Sequence, residues 1–239
     1  MIRLILDIVL LLIVALCTWT GYKKGLIAGV AGILAVIVAL FGGNLLSKAY
    51  AHEVVPVLEP FVEGYIDSQN IRDEVLEQMG QGFSDKSLED VLAEDSSRRY
   101  DYAMWCMRTV GVHEDRAEEL ARKTVDYSDL NNANMTDSVV TVLCDTATYV
   151  GGLIIGFLLI LILLVAIGNI GNLSFRLPNL ELLDEIGGAV LGFAKGFMYC
   201  VLLCWALSFL GIVIGKDTLA STTLAQFFLR IRFLTSGLL

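Results

Sequence analysis

Charged residues are scarce in this chain. They make up 18% of its 239 residues, whereas hydrophobic residues make up 56% and the mean hydropathy is +0.68. The two histidines and five cysteines show no Cys-x-x-Cys pair and no Cys/His spacing typical of zinc, so no metal or cofactor is expected. A clustered basic face is also missing, which excludes nucleic acid as an expected partner. This balance is typical of a membrane protein.

The net charge of −9 is unevenly distributed along the chain. Residues 47–146 contain 21 acidic and 9 basic residues, a net charge of −12, so the remaining residues carry +3. Within this acidic insert, "SLEDVLAED", "RRYDYAMWCMRTVG" and "EDRAEELARK" have apolar residues at helical spacing. Pro56 and Pro60 are expected to mark its beginning. The pattern predicts a small domain of about four short helices.

Four apolar segments outside the insert are candidate membrane spans: residues 4–20, 26–46, 150–167 and 188–214. At 1.5 Å per residue the first two would extend roughly 25 and 32 Å, which brackets a hydrocarbon core of about 30 Å. The last segment is interrupted by Lys195 alone. We predict an all-α protein, a four-span transmembrane helix bundle made of two helix hairpins with an inserted helical extramembrane domain.

The predicted domain boundaries follow from these segments. Residues 1–46 are the first transmembrane hairpin, 47–146 the insert, 147–214 the second hairpin with a cytoplasmic loop at 168–187, and 215–239 a C-terminal tail. In the loop, Pro178 is expected to precede a separate short amphipathic helix.

Basic residues near the spans predict the orientation. Lys23, Lys24, Arg176 and Lys195 lie on one side, and Arg3, Lys48 and Lys216 on the other. Because cytoplasmic loops carry the excess of Lys and Arg, the termini and residues 47–146 are expected outside the cytoplasm.

Two similar motifs occur at span ends, "GYKKG" at residues 21–25 and "GFAKG" at residues 192–196. The glycines extend into two series with a spacing of four: Gly21, Gly25 and Gly29, and Gly188, Gly192 and Gly196. Such spacing forms one small-residue stripe on a helix, which favours close helix packing in lipid. The two motifs also suggest turns of a parallel internal repeat, in which Gly21 corresponds to Gly192.

Charged residues of the apolar segments have two interpretations each. Asp7 and Lys195 either have a polar role inside the membrane or lie near its surface, where they are well solvated. Lys23 or Lys24 either pairs with Asp184 or Glu185 across the hairpins or sets the orientation alone.

Cys106 and Cys144 either form a disulfide, if the insert faces an oxidising compartment, or remain thiols.

The motif residues resemble a known family. "GYKKGL" after a span that contains Asp7, and "LLDEIGGAVLGFAKGF" at the opening of the last span, are similar to the colicin V production protein (CvpA) family. The matching positions are Gly21, Tyr22, Lys23, Lys24 and Gly25, then Asp184, Gly188, Gly192, Lys195 and Gly196. The resemblance covers residues 1–46 and 147–214. It departs at Glu185, where the family usually has a basic residue, and in the length of the insert.

The resemblance implies a multi-pass protein of the bacterial inner membrane, involved in colicin V or bacteriocin production or export and in envelope function. Its expected partners are the lipid bilayer and either further copies of itself or other export proteins. The spans lack a Ser/His pair, a His-Glu-x-x-His motif and paired aspartates, so we expect no enzymatic activity. Two alternatives remain: an oligomeric channel or small-solute transporter, and an envelope-facing sensor or anchor.

Overall fold

Seven helices form the part of the chain that the structure, a computed structural model, describes: residues 2–68, 92, 96–170, 181–209 and 222–229. The helices are α1 (Ile2–Lys24), α2 (Leu26–Ser68), α3 (Ser96–Val110), α4 (Glu114–Asn131), α5 (Met135–Ile170), α6 (Glu181–Phe209) and α7 (Thr223–Leu229). These residues contain no strand, so the prediction of an all-α protein is confirmed.

Four of the helices are long and apolar enough to cross a membrane. The segments are Leu4–Lys24, Leu26–Ala51, Met135–Gly168 and Glu181–Phe209. In the most apolar part of α6, 44% of the residues are buried, against 17% in each of the other three. Helix α6 is therefore the central helix, while α1, α2 and α5 present mostly apolar side chains to the outside, as lipid-facing helices do.

The chain forms two units, and the candidate spans contribute to the first of them. This membrane unit comprises Met1–Ala49, Gly151–Leu207 and Asp217–Leu239. Within it, Phe227 and Phe228 of the short helix α7 lie against Phe197 of α6, and α7 also packs against α1. Helix α7, within the predicted C-terminal tail, is thus attached to the bundle.

The second unit comprises Tyr50–Val150 and Ser208–Lys216. Its helix α3 packs against α4, and Tyr102, Met107 and Leu120 are almost completely buried between helices. Asn132, which is in the left-handed conformation, ends α4 and donates its backbone N–H to the carbonyl of Ser128. The helical periodicity of "RRYDYAMWCMRTVG" and "EDRAEELARK" is realised in α3 and α4. "SLEDVLAED" lies mostly outside the described residues.

Two prolines do not end the second span as expected. Helix α2 continues through Pro56 and Pro60 to Ser68. Each proline removes one helix hydrogen bond, but the two residues are four apart, lie on one face and are both exposed. Both lost hydrogen bonds therefore fall on one face of the helix, the face on which the two prolines are exposed.

The second predicted hairpin also differs from the structure. Residues 181–187, expected in the loop 168–187 with a separate amphipathic helix, are the first two turns of α6, and α5 continues to Ile170. The helix is continuous from Glu181 to Phe209, so no turn separates this segment from the span. Arg176, Pro178 and Lys216 lie outside the described residues, as does the expected end of the last span at residue 214.

Candidate functional site

A single residue, Gly25, separates α1 from α2. Its φ of +86° lies in the left-handed region, which glycine adopts without the steric penalty of other residues. Its N–H donates to the carbonyl of Gly21, and its own carbonyl accepts the N–H of Gly29, both at 3.0 Å. The break between the two helices is therefore only one residue long, and it depends on glycine.

The carboxylate of Asp184 caps the beginning of α2. Its Oδ1 accepts the backbone N–H of Leu26 at 2.8 Å, and the residue is only 3% exposed. The first N–H groups of a helix have no partner inside the helix, and a negative charge there also interacts favourably with the helix dipole. Gly25 has no side chain to fill this role, so α6 supplies the cap.

Gly25 also makes room for that carboxylate. A Cβ placed on Gly25 would lie 2.8 Å from the Cγ of Asp184. The glycine is therefore required twice, once for its backbone conformation and once for the space that Asp184 occupies.

The glycines of α6 bring its backbone into direct contact with α1. A Cβ on Gly192 would lie 3.0 Å from the Cα of Gly21 and would collide with the carbonyl of Cys17. One on Gly196 would lie 2.9 Å from the Cα of Val14, and one on Gly188 would be 2.8 Å from the carbonyl carbon of Gly25. Backbone contact of this kind allows dispersion and Cα–H···O interactions to hold helices together in lipid.

The remaining glycine of the first series, Gly29, lies against a side chain of α6, that of Leu191. A Cβ on Gly29 would lie 2.8 Å from the Cβ of Leu191. Gly21, Gly25 and Gly29 thus all face α6, although they belong to α1, the break and α2. We call the surface formed by Gly21, Gly25, Gly29, Asp184, Gly188, Gly192 and Gly196 the glycine–aspartate junction.

The junction corrects the interpretation of the two motifs as equivalent turns. "GYKKG" does contain the break at Gly25, but "GFAKG" lies inside α6 and forms no turn. Gly21 and Gly192, paired as equivalents in a parallel repeat, face each other on helices that run in opposite directions. Gly188 contacts Gly25 while Gly196 contacts Val14, and an axis along the membrane normal does not relate antiparallel helices. The shared spacing reflects a common requirement for close approach, so the two motifs are the two sides of one contact.

The structure does not contain the ion pair considered above between Lys23 or Lys24 and the acidic residues of the second hairpin. Asp184 bonds to the N–H of Leu26, while Glu185 accepts a hydrogen bond from the hydroxyl of Tyr22 at 2.9 Å. The ammonium of Lys23 lies 5.2 Å from the centre of the exposed Trp19 ring. In the described part of the chain, neither lysine forms an ion pair with Asp184 or Glu185.

The structure does not bring Asp7 and Lys195 together. Lys195 is half-buried beside Gly32, with its ammonium 5.6 Å from the centre of the Tyr199 ring. Asp7 is also half-buried, and its Oδ1 has no hydrogen-bond partner among the described residues. Asp7 lies ten residues, or about 15 Å, along α1 from the part that packs on α6 at Gly192.

The cysteine side chains are mostly buried. Cys106 and Cys144 are both buried in the second unit, and the structure has no disulfide between them. In the membrane unit, the thiol of Cys200 donates to the carbonyl of Leu10 at 3.5 Å. Within the described ranges, no three His, Cys, Asp or Glu side chains are grouped as a metal site would require.

A second close contact, between α2 and α5, was missed by the sequence interpretation. A Cβ on Gly43 would lie 2.8 Å from the backbone nitrogen of Phe157, and one on Gly156 would lie 3.1 Å from the Cα of Gly43. One turn away, a Cβ on Gly152 would lie 3.1 Å from the hydroxyl of Ser47. The spacing of four between Gly43 and Ser47, and between Gly152 and Gly156, was the available signal.

These features define the class of the molecule as an integral membrane protein, with four apolar helices held partly by direct backbone contact. The sequence model described as Colicin V production protein matches residues 6–75 and 127–232, which is more than half of the chain. The chain therefore belongs to that family, and the resemblance stated from its motifs is confirmed. The matched ranges contain the whole junction and leave out residues 76–126 of the acidic insert. No curated protein and no solved structure gives a significant match.

Proposed function

We propose that this protein is a non-enzymatic accessory protein of the bacterial inner membrane that supports the production or export of a peptide toxin such as colicin V, and envelope function more broadly. The family match carries the association with colicin V production. A mechanism without catalysis is supported by the use of the motif residues. The carboxylate of Asp184 is buried and bonded to a backbone N–H, and the glycines have no reactive group.

The motif thus has a structural task in the proposed function. It fixes α1, α2 and α6 in one arrangement, with the central helix supplying both the glycine surface and the cap. Because a contact between helix backbones tolerates little displacement, the arrangement is well suited to presenting a constant surface to lipid and to partner proteins.

Deletion of the gene from a toxin-producing strain tests the proposal. We expect toxin release to fall and tolerance of detergent and osmotic stress to decrease, with both restored by the wild-type chain. The Gly192→Ala variant should not restore them, since it disturbs the junction, whereas Gly151→Ala should. Unchanged release together with unchanged tolerance would contradict the proposal, and turnover of a substrate by the purified chain would contradict its non-enzymatic part.

We also propose that both termini and the acidic insert lie outside the cytoplasm, as the distribution of lysine and arginine favours. Lys23 and Lys24, at the break between α1 and α2, would then lie at the cytoplasmic surface. The prediction concerns two exposed positions, Asp126 in α4 and Lys24. In intact spheroplasts, a membrane-impermeant maleimide should label Asp126→Cys above the parent background, but should label Lys24→Cys only after permeabilisation. The reverse pattern would show the opposite orientation.

A further inference from the structure

The membrane unit contains an open cavity of about 280 Å³ to which α1, α2, α5 and α6 all contribute. Two lysines, Lys24 of α1 and Lys195 of α6, line it, and none of its described lining residues is acidic. Gly21, Gly29 and Gly192 of the glycine–aspartate junction also line the cavity, so the two features adjoin. Neither lysine takes part in the hydrogen bonds of the junction.

Lys195 requires a partner for its charge. Its side chain is half-buried in a segment apolar enough to cross the membrane, where an ammonium without a counter-charge is strongly disfavoured. The nearby ammonium of Lys24 adds electrostatic repulsion rather than relief. The Tyr199 ring offers only a weak interaction at 5.6 Å, and the described residues contain no ion-pair partner for either lysine. An anion in the cavity would compensate the charge of Lys195 and interact with the exposed ammonium of Lys24.

The rest of the cavity surface indicates what the anion is attached to. Ala28 and Gly32 of α2 leave space beside the ammonium of Lys195, which lies 3.4 Å from the position that a Cβ on Gly32 would take. On the α5 side the lining is aliphatic, with Leu164 half-buried and Val165 exposed at the outer surface of the unit. The cavity is therefore cationic at one part of its wall and apolar at another.

We propose that this cavity binds a phosphate group between Lys24 and Lys195. Phosphate has several acceptor oxygens and forms charge-assisted bonds with two ammonium groups at once. In a membrane the expected source is the head group of an anionic phospholipid, whose acyl chains would lie along Leu164 and Val165. A soluble phosphate compound is the other source of the same chemistry. This binding site is independent of the proposed role in toxin production, and its test does not involve toxin release.

Binding of defined lipids to the purified full-length chain tests the site. Native mass spectrometry would compare phosphatidylglycerol with phosphatidylcholine for the wild type, Lys195→Gln and Lys24→Gln. We expect a preference for phosphatidylglycerol, reduced about fivefold by each substitution, since one lysine near a lipid phosphate contributes about that factor. Lys23→Gln is the matched control, because Lys23 is adjacent in sequence, carries the same charge and does not line the cavity. It should leave the preference unchanged.

Two further measurements decide between the outcomes. Lys195→Arg, which keeps the charge, should retain the preference, and this separates loss of binding from loss of folding. Stabilisation of the chain by inorganic phosphate alone, lost in Lys195→Gln, would support the same site with a soluble source. Equal binding of the two lipids with no phosphate effect, or an equal loss in Lys23→Gln and Lys195→Gln, would overturn the proposal.

Discussion

Gly192→Ala is expected to destabilise the membrane unit by about 2 to 3 kcal/mol, the upper part of the range for an added methyl group in a closely packed site. The new Cβ would collide with the carbonyl of Cys17 and lie 3.0 Å from the Cα of Gly21. Both groups belong to a helix backbone, so neither can rotate away as a flexible side chain would. Helices α1 and α6 must separate to accommodate the methyl group, which also weakens their contacts at Gly188 and Gly196.

Unfolding in mixed micelles by increasing SDS, followed by tryptophan fluorescence, would measure this loss. Trp205 is a suitable reporter because it lies on α6 and is only 2% exposed. Gly151→Ala is the matched control, since it adds the same methyl group inside a helix of the same unit but has nothing within 4 Å of the new Cβ. There the higher helix propensity of alanine should leave stability unchanged or raise it by up to about 1 kcal/mol. Equal effects of the two substitutions would contradict the backbone contact.

Gly25→Ala is expected to destabilise the same unit by about 1.5 to 4 kcal/mol through two separable effects. Holding alanine at a φ of +86° disfavours the folded chain by about 1 to 2 kcal/mol. The added Cβ would also displace the carboxylate of Asp184 from the N–H of Leu26. Loss of such a helix cap removes about a further 0.5 to 2 kcal/mol.

A double-mutant cycle separates the two effects. In the Asp184→Ala background the cap is already lost and the carboxylate no longer occupies the space beside Gly25. The effect of Gly25→Ala should then be limited to the cost of its backbone conformation. The loss of stability in the double variant should therefore be smaller than the sum of the two single losses by about 1 kcal/mol or more. Tyr22→Phe, which removes only the exposed hydrogen bond to Glu185, serves as a control and should leave the unfolding midpoint unchanged. Strictly additive losses would show that Asp184 and Gly25 do not interact.

The sequence was sufficient for the features that depend on local pattern. Long apolar segments predicted the helices that can span a membrane, and the periodicity of the insert predicted α3 and α4. The glycines with a spacing of four predicted close helix packing, because that spacing places them on one face whatever the partner is. These predictions required no knowledge of which helices are neighbours.

The features that depend on partners could not be predicted in the same way. Asp184 was one of two candidate ion-pair partners for Lys23 or Lys24, and its observed partner could not be predicted because a backbone N–H carries no sequence signal. The identical spacing in "GYKKG" and "GFAKG" favoured a parallel repeat, since a spacing pattern does not show whether two helices run in the same or in opposite directions. Pro56 and Pro60 looked like helix ends because the exposure of their shared face, which makes them tolerable, is decided by packing.

The cap on α2 joins two residues that are synthesised at very different times. Asp184 follows Leu26 by 158 residues, so at the usual 5 to 20 residues per second the ribosome needs roughly 8 to 30 s to supply it. Until then the first two helices lack both the carboxylate and the glycine surface of α6. The hairpin of α1 and α2 is therefore expected to remain without its cap and its packing partner until α6 has been synthesised and packs against it.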